Sequence, residues 1–328
     1  MKYNNIFLFL IIFISNFAFA NQNNCDQFTD NLNKLENDMR NSSDLILQGF
    51  VSHQCEILSS FAKRIIEDRE NNPNKFNIQW GDYYALMIGL DYKNNPYVDL
   101  DSTLNDIDLI GATLEDNYNF KEVKYLVNPT RSKFYETIET YRMVDQDNYN
   151  KNLVIYYAGH GEMDKATGEG YWIPSDAEEN KKYTWIPNSM ITNEINALNN
   201  FKHIIIIADS CYSGTLTAPR SNLSIPNDKE KRMMNYRSFN NLKTRVALTS
   251  GNLNEVQDSY KNTDHSPFAI ALNNFLNNNN DVLLSSELHN NIADSLLNID
   301  NFPDPTHGVI KNATDLVNFG RNFIFVKK

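Results

Sequence analysis

The residues best suited to chemistry in this 328-residue sequence are one cysteine and one histidine. Cys211 follows the apolar run FKHIIIIADS, and His160 follows LVIYYAG between Gly159 and Gly161. A thiol becomes a nucleophile when a base or a positive neighbour favours the thiolate. The pair therefore predicts nucleophilic catalysis, with the N–H groups of Gly161 and Cys211 as donors to a developing oxyanion.

Each residue by itself has an ordinary structural interpretation, because a lone cysteine is usually a small buried hydrophobe. His203 begins the same apolar run as Cys211, and we interpret it as structural. Four other histidines lie in the N-terminal region or in polar loops and helices: His53, His265, His289 and His307. Only His160 is expected at the same sheet edge as Cys211, provided that their strands are parallel.

Apolar runs that alternate with amphipathic stretches predict the elements that position this pair. The predicted strands are Tyr83–Leu90, Val123–Val127, Leu153–Tyr157, Tyr171–Ile173, Ile204–Ala208, Arg245–Thr249 and Phe323–Val326. The predicted helices run from Ser102 to Asn117, Thr130 to Tyr141, Pro187 to Asn199, Pro267 to Leu276 and Ser285 to Leu297. This alternation predicts an α/β fold whose mainly parallel sheet of about six strands is covered on both faces. Open sheets of this kind place their chemistry at the carboxyl ends of the strands.

The N-terminal region predicts export, to the periplasm or the extracellular space. Residues 1–20 have the lysine, apolar run and Ala-Phe-Ala site of a signal peptide, with an uncleaved anchor as the alternative. Residues 21–74 predict two helices, which a Cys25–Cys55 disulfide would join, and residues 75–328 form the main domain. The formal net charge of −11 argues against a nucleic-acid partner and is compatible with a cationic substrate.

These motifs resemble the caspase-like peptidases of the C14 type. His160 precedes Cys211 by 51 residues, close to the caspase spacing of about 50. The resemblance spans Tyr83–Val326 and includes LTSG at 248–251, EVQD at 255–258, HSPFA at 265–269 and the segment 320–326. The Asp-Ser-Cys turn, in place of the QAC pattern of animal caspases, is similar to that of the metacaspase, paracaspase and bacterial group.

The resemblance implies that Cys211 attacks a peptide bond of a protein or peptide substrate, that His160 manages the proton, and that water resolves a thioester. It also matches Asp106 and Asp209 to the acids with which metacaspase-like members hold Arg or Lys. Two carboxylates in a closed pocket favour a guanidinium or ammonium group. The alternative is that Asp106 is a solvated helix residue and Asp209 a turn residue.

Many metacaspases are activated by calcium through a cluster of acids, of which Asp176 resembles one. The others fall on Thr192, Asn193 and Ala218, which leaves too few oxygen ligands, so we expect neither a calcium requirement nor another cofactor. Residues 215–244 correspond to the linker between caspase subunits. Their basic residues suit self-cleavage, and an uncut surface loop is the alternative.

Three other interpretations remain open at this point. The chain is a non-catalytic caspase-like module that binds a partner or the cell envelope, a relative of the legumain-type peptidases, or a thiol redox protein. An intact dyad argues against the first, and the lack of a resolving cysteine beside Cys211 argues against the third. Legumain-type enzymes share the His-then-Cys order, so only the C-terminal landmarks favour the caspase group over them.

Overall fold

The computed structural model of the protein describes residues 78–93, 95–218, 236, 238–251, 263–279, 282–297, 299, 302–311, 319–320 and 322–328. The predicted signal peptide, N-terminal helices, Cys25–Cys55 disulfide and EVQD motif, and most of the 215–244 linker, lie outside these residues. Export and the domain boundary near residue 74 therefore stay predictions. Within the described part of the chain, no helix is both long and apolar enough to cross a membrane.

Every strand and helix predicted between residues 83 and 326 is present, with ends that differ by at most three residues. The strands are β1 Asp82–Gly89, β2 Phe120–Val127, β3 Lys151–Ala158, β4 Gly161–Asp164, β5 Glu169–Trp172, β6 Ile186–Pro187, β7 His203–Asp209, β8 Thr217–Ala218, β9 Lys243–Thr249, β10 Val282–Leu284, β11 Thr306–Ile310, β12 Phe319–Gly320 and β13 Ile324–Val326. The α-helices are α1 Thr103–Asn117, α2 Arg131–Arg142, α3 Asn188–Asn196, α4 Pro267–Asn278 and α5 Ser285–Leu296.

The central sheet has the strand order β2-β1-β3-β7-β9-β11-β8, and β12 pairs with β9. The pairs from β2 to β9 are parallel, whereas β11 is antiparallel to both β9 and β8. This order confirms the predicted mainly parallel α/β sheet. The short strand β11, with the sequence THGVI, was missed because it is brief and contains a glycine. Two small antiparallel sheets, β4-β5-β6 and β10-β13, lie beside the central one.

Strand β7 shows how one strand supports a core on each face of the sheet. Ile204, Ile206 and Ala208 belong to the cluster packed with helices α2 and α3. Ile205 and Ile207 belong to the cluster packed with α1, α4 and α5. Side chains alternate between the faces of a strand, so a run of isoleucines fits only a strand that is covered on both sides.

The carboxyl ends of β1, β3 and β7 meet at one edge of the sheet. Gly89 lies opposite Ala158, and Ala158 lies opposite Asp209. Helix α1 covers one face and α2 and α3 cover the other, because strand order reverses around β1. Such a reversal opens a crevice at the carboxyl ends of the strands, where these folds bind ligands.

Candidate active site

The register of β3 and β7 brings His160 and Cys211 to neighbouring positions. Ala158 and Asp209 are partners in this parallel pair, and each site residue follows its strand by two positions. The N–H of Gly159 donates to the carbonyl oxygen of Asp209 at 3.4 Å, which extends the pairing beyond the strands. His160 and Cys211 line one cavity of about 360 Å³.

Cys211, the one cysteine within the described residues, is partly exposed on a tight turn after β7. The next residue, Tyr212, has a left-handed φ of 56°, which costs a residue other than glycine about 1–2 kcal/mol. The Ser210 N–H donates to the Ser250 hydroxyl at 3.1 Å, and the Ser213 hydroxyl donates to the Ser210 carbonyl at 2.8 Å. These bonds hold a strained turn that presents Cys211 at the cavity.

The loop after β1 orients the ring of His160. Its Nε2 lies 2.6 Å from the carbonyl oxygen of Val98. A carbonyl only accepts, so Nε2 carries a proton and the Nδ1 of the neutral ring is unprotonated. The ring of Tyr92 packs against the imidazole with centroids 4.5 Å apart. The neutral imidazole can therefore accept a proton at Nδ1.

Gly161 occupies a place where no side chain fits. A Cβ atom added to it would lie 2.0 Å from the carbonyl oxygen of Cys211. Ile173 donates its N–H to the His160 carbonyl at 3.2 Å, and Gly161 lies opposite Trp172. The Gly161–Trp172 pair is thus of the non-hydrogen-bonded kind, in which the N–H groups point away from the partner strand. The Gly161 N–H therefore does not donate a hydrogen bond to β5, which is a requirement for a donor to an oxyanion.

We expect Gly161→Ala to lower kcat by about 100-fold, since the new methyl group displaces the backbone of Cys211 from its position. Peptide hydrolysis and thermal unfolding of the purified variant check this. The control is Gly168→Ala, where an added Cβ has no atom within 4 Å, although its φ of 72° adds a backbone cost of about 1–2 kcal/mol. Equal activity in the two variants would contradict the close approach.

The two predicted pocket acids, Asp106 and Asp209, line the same cavity as the dyad residues. Asp106 is 1% exposed and Asp209 8%, which rules out a solvated surface position for either carboxylate. Ser266 joins them: its N–H lies 3.3 Å from Asp106, and its hydroxyl donates to Asp209. Asp106 also accepts from the Ser102 hydroxyl at 3.1 Å. Two buried carboxylates thus lie close together beside Cys211.

Sequence reasoning missed His265 and Ser266 as site residues. His265 Nδ1 lies 2.9 Å from Asp106 Oδ1. Ser266 caps α4 by accepting the Ala269 N–H at 2.9 Å. Serine before proline at a helix start signals such a cap, so this role could have been predicted. The contact of both residues with Asp106 could not, because it joins segments about 160 positions apart.

The charges of the cavity favour a cation. Burial, and then the carboxylates of Asp209 and Asp106, raise the pKa of the Tyr156 hydroxyl well above its usual value of 10.0. Glu162 adds a third carboxylate to the lining, and no lysine or arginine is among the described residues that form it. An anionic group would be repelled here, whereas a guanidinium or ammonium group would be attracted.

Asp176, the expected counterpart of one calcium ligand, is not among the residues that line the cavity. Its Oδ1 accepts the Arg131 N–H at 2.7 Å, at the start of α2. The Thr192 hydroxyl donates to the Ser189 carbonyl at 2.9 Å. Across the described ranges, no group of three His, Cys, Asp or Glu residues is arranged to hold a metal ion. Independence from calcium remains a prediction.

Comparison with known proteins gives one family. The model of the caspase domain, peptidase C14, matches residues 82–301, from β1 through the segment after α5. A crystal structure of a protein from Geobacter sulfurreducens is similar at a TM-score of 0.44 and 16% sequence identity, and the match covers 69% of this chain and 92% of that one. No curated protein matches the chain.

Proposed function

This chain belongs to the caspase-domain family of peptidases, and we propose that it is a cysteine endopeptidase that cleaves after arginine or lysine. The family accounts for cysteine-type peptidase chemistry and a protein substrate. One observation carries the finer proposal: a single cavity is lined by Cys211, His160 and the buried carboxylates of Asp106 and Asp209. A nucleophile, a base and a cation-binding site are therefore within reach of one bound residue.

The first half of the reaction makes a covalent intermediate. The Cys211 sulfur attacks the carbonyl carbon of the substrate, and the thiol proton passes to Nδ1 of His160, since Nε2 already donates to Val98. Negative charge develops on the carbonyl oxygen. The N–H groups of Gly161 and Cys211 stabilise it, because fixed donors need no reorganisation during the reaction.

The second half releases both products. The carbon–nitrogen bond breaks, and the proton on His160 moves to the departing nitrogen, which leaves as an amine. A thioester to Cys211 remains. Water then attacks the thioester carbon and gives a proton to His160. Cleavage of the carbon–sulfur bond releases the carboxylic acid, and the sulfur takes back the proton from His160.

Specificity follows from the charge and burial of the two acids. A cationic side chain that enters the cavity meets Asp106 and Asp209 with little water to screen the attraction. Arg can reach such oxygens with a planar fork of donors, and Lys with a compact ammonium group. An Asp side chain would place a third negative charge beside two buried ones.

Peptides that differ only in the cleaved residue test this proposal. We expect Arg and Lys peptides to be hydrolysed with a kcat/KM at least about 100-fold above that of the Asp peptide, from a charge difference of about 3 kcal/mol. Release of a fluorophore after the cleaved residue is the measurement. Preference for Asp would contradict the pocket, and no hydrolysis of any peptide would favour the non-catalytic module.

A further inference from the structure

We propose that Tyr92 is a positioning residue for His160, because its hydroxyl group takes the place of a direct backbone hydrogen bond beside the catalytic histidine. The inference rests on the proposed function, since it gives Tyr92 a part in the same reaction. Tyr92 lies in the loop after β1, three residues beyond Gly89, and is 2% exposed.

The Tyr92 hydroxyl stands between two backbone groups. It accepts the His160 N–H at 2.9 Å and donates to the Ile173 carbonyl at 2.7 Å. On the other side, the Ile173 N–H donates directly to the His160 carbonyl at 3.2 Å. Opposite residues in a hydrogen-bonded antiparallel pair exchange both bonds directly. Here the bond from Ile173 to His160 is direct, whereas the bond from His160 to Ile173 passes through the Tyr92 hydroxyl. Tyr92 therefore sets the distance between the backbones at these two residues.

The directions of the bonds that Tyr92 makes to His160 and Ile173 are determined. Burial raises the pKa of the Tyr92 hydroxyl well above 10.0, so the group is protonated at neutral pH. Its single proton goes to Ile173, and its oxygen is then the acceptor for His160. The Tyr157 hydroxyl donates its own proton to the His160 carbonyl at 2.8 Å. Two tyrosines therefore hold the two backbone polar groups of one histidine.

The same loop also holds the imidazole. Tyr92 packs against the ring, and the Val98 carbonyl accepts from Nε2. Tyr92 has a left-handed φ of 60°, a conformation that costs about 1–2 kcal/mol and persists where the surroundings impose it. The Asn95 N–H donates to the Tyr92 carbonyl at 2.9 Å, which closes the loop locally. The loop after β1 thus positions both the backbone N–H and the imidazole ring of His160.

Tyr92→Phe tests the role by removing one hydroxyl. We expect kcat to fall at least about tenfold, since small misplacements of a catalytic group are costly, and KM to change less than about twofold, because both pocket acids are untouched. Tyr157→Phe should have a smaller effect, since the His160 carbonyl keeps the Ile173 N–H. The matched control is Tyr118→Phe, which removes a buried hydroxyl that donates to the Leu276 carbonyl at 2.8 Å, outside the cavity. It should lose comparable thermal stability and keep kcat.

A second readout does not require a substrate. We expect the iodoacetamide alkylation rate of Cys211, followed by mass spectrometry of its peptide, to fall at least about fivefold in Tyr92→Phe relative to Tyr118→Phe, because a displaced His160 stabilises the thiolate less. Equal kcat and equal alkylation rates in these two variants would overturn the inference. If the wild type hydrolyses no peptide, the proposed function fails, and the alkylation rates alone decide the role of Tyr92.

Discussion

Cys211→Ala is expected to lower the kcat for an Arg peptide by about 10,000-fold or more, because no other described residue that lines the cavity carries a thiol to form the thioester. His160→Ala should lower kcat nearly as much, since the variant lacks the proposed base. The double variant should be no worse than the worse single variant, because the two residues act as one unit. Initial rates on the purified proteins, with matched circular dichroism spectra, check all three.

His289→Ala is the control for the histidine variant. The Nε2 of His289 lies 3.0 Å from the Pro305 carbonyl, the same kind of contact that His160 makes with Val98, and His289 does not line the cavity. We expect it to retain wild-type kcat. Persistent hydrolysis in folded Cys211→Ala would show that another nucleophile acts, and would refute the dyad.

Asp209→Asn is expected to lower the kcat/KM for an Arg peptide by roughly 30- to 1,000-fold, equivalent to about 2–4 kcal/mol for the loss of one buried charge pair. Asp106→Asn should act in the same direction. It should also lower the unfolding temperature, because Asp106 accepts bonds from Ser102, Ser266 and His265. The measurement is kcat/KM for the Arg peptide beside a citrulline peptide, which is similar in shape but neutral.

The citrulline peptide separates charge from shape. Its low kcat/KM should change less than about threefold in Asp209→Asn. The variant would then lose its preference for Arg over citrulline and keep the rate of the catalytic step. Asp108→Asn, two residues beyond Asp106 on the exposed side of α1, is the control and should change neither value. If Asp209→Asn left the ratio of Arg to citrulline hydrolysis intact, the cation would have to bind elsewhere.

The parts of the fold that could be predicted are those in which local pattern and tertiary role agree. Strand β7 is an example, since a run of four isoleucines is stable only with both faces covered. Strand β10 was missed because three apolar residues are too few to show a period, and β11 because its five residues, THGVI, mix polar and apolar types without clear alternation. Pairing with distant partners, β13 and β9, makes them strands.

The residues of the candidate site also fall into two groups, those that the sequence could predict and those that it could not. His160 and Cys211 could be chosen because each follows a buried strand, and the carboxyl ends of parallel strands share an edge. Tyr92 and His265 could not, since tyrosine and histidine in polar loops are common and nothing local distinguishes these two. Their roles come from contacts with His160 and Asp106, which the folded chain brings to them.

Residue types and their spacing predicted the parallel α/β sheet and a candidate nucleophile and base, and the resemblance to metacaspase-like peptidases implied two acids that suit a cation. The sheet and the candidate pair follow from residue type and from repeats of two or about four residues, which act over a few positions of the chain. Three features appear only in the folded chain: Asp106 is buried near Asp209, Gly161 leaves no room for a Cβ beside the Cys211 carbonyl, and the Tyr92 hydroxyl accepts the His160 N–H. The physical reason is that desolvation and hydrogen-bond geometry depend on distances in space, which distant segments supply only when they pack together.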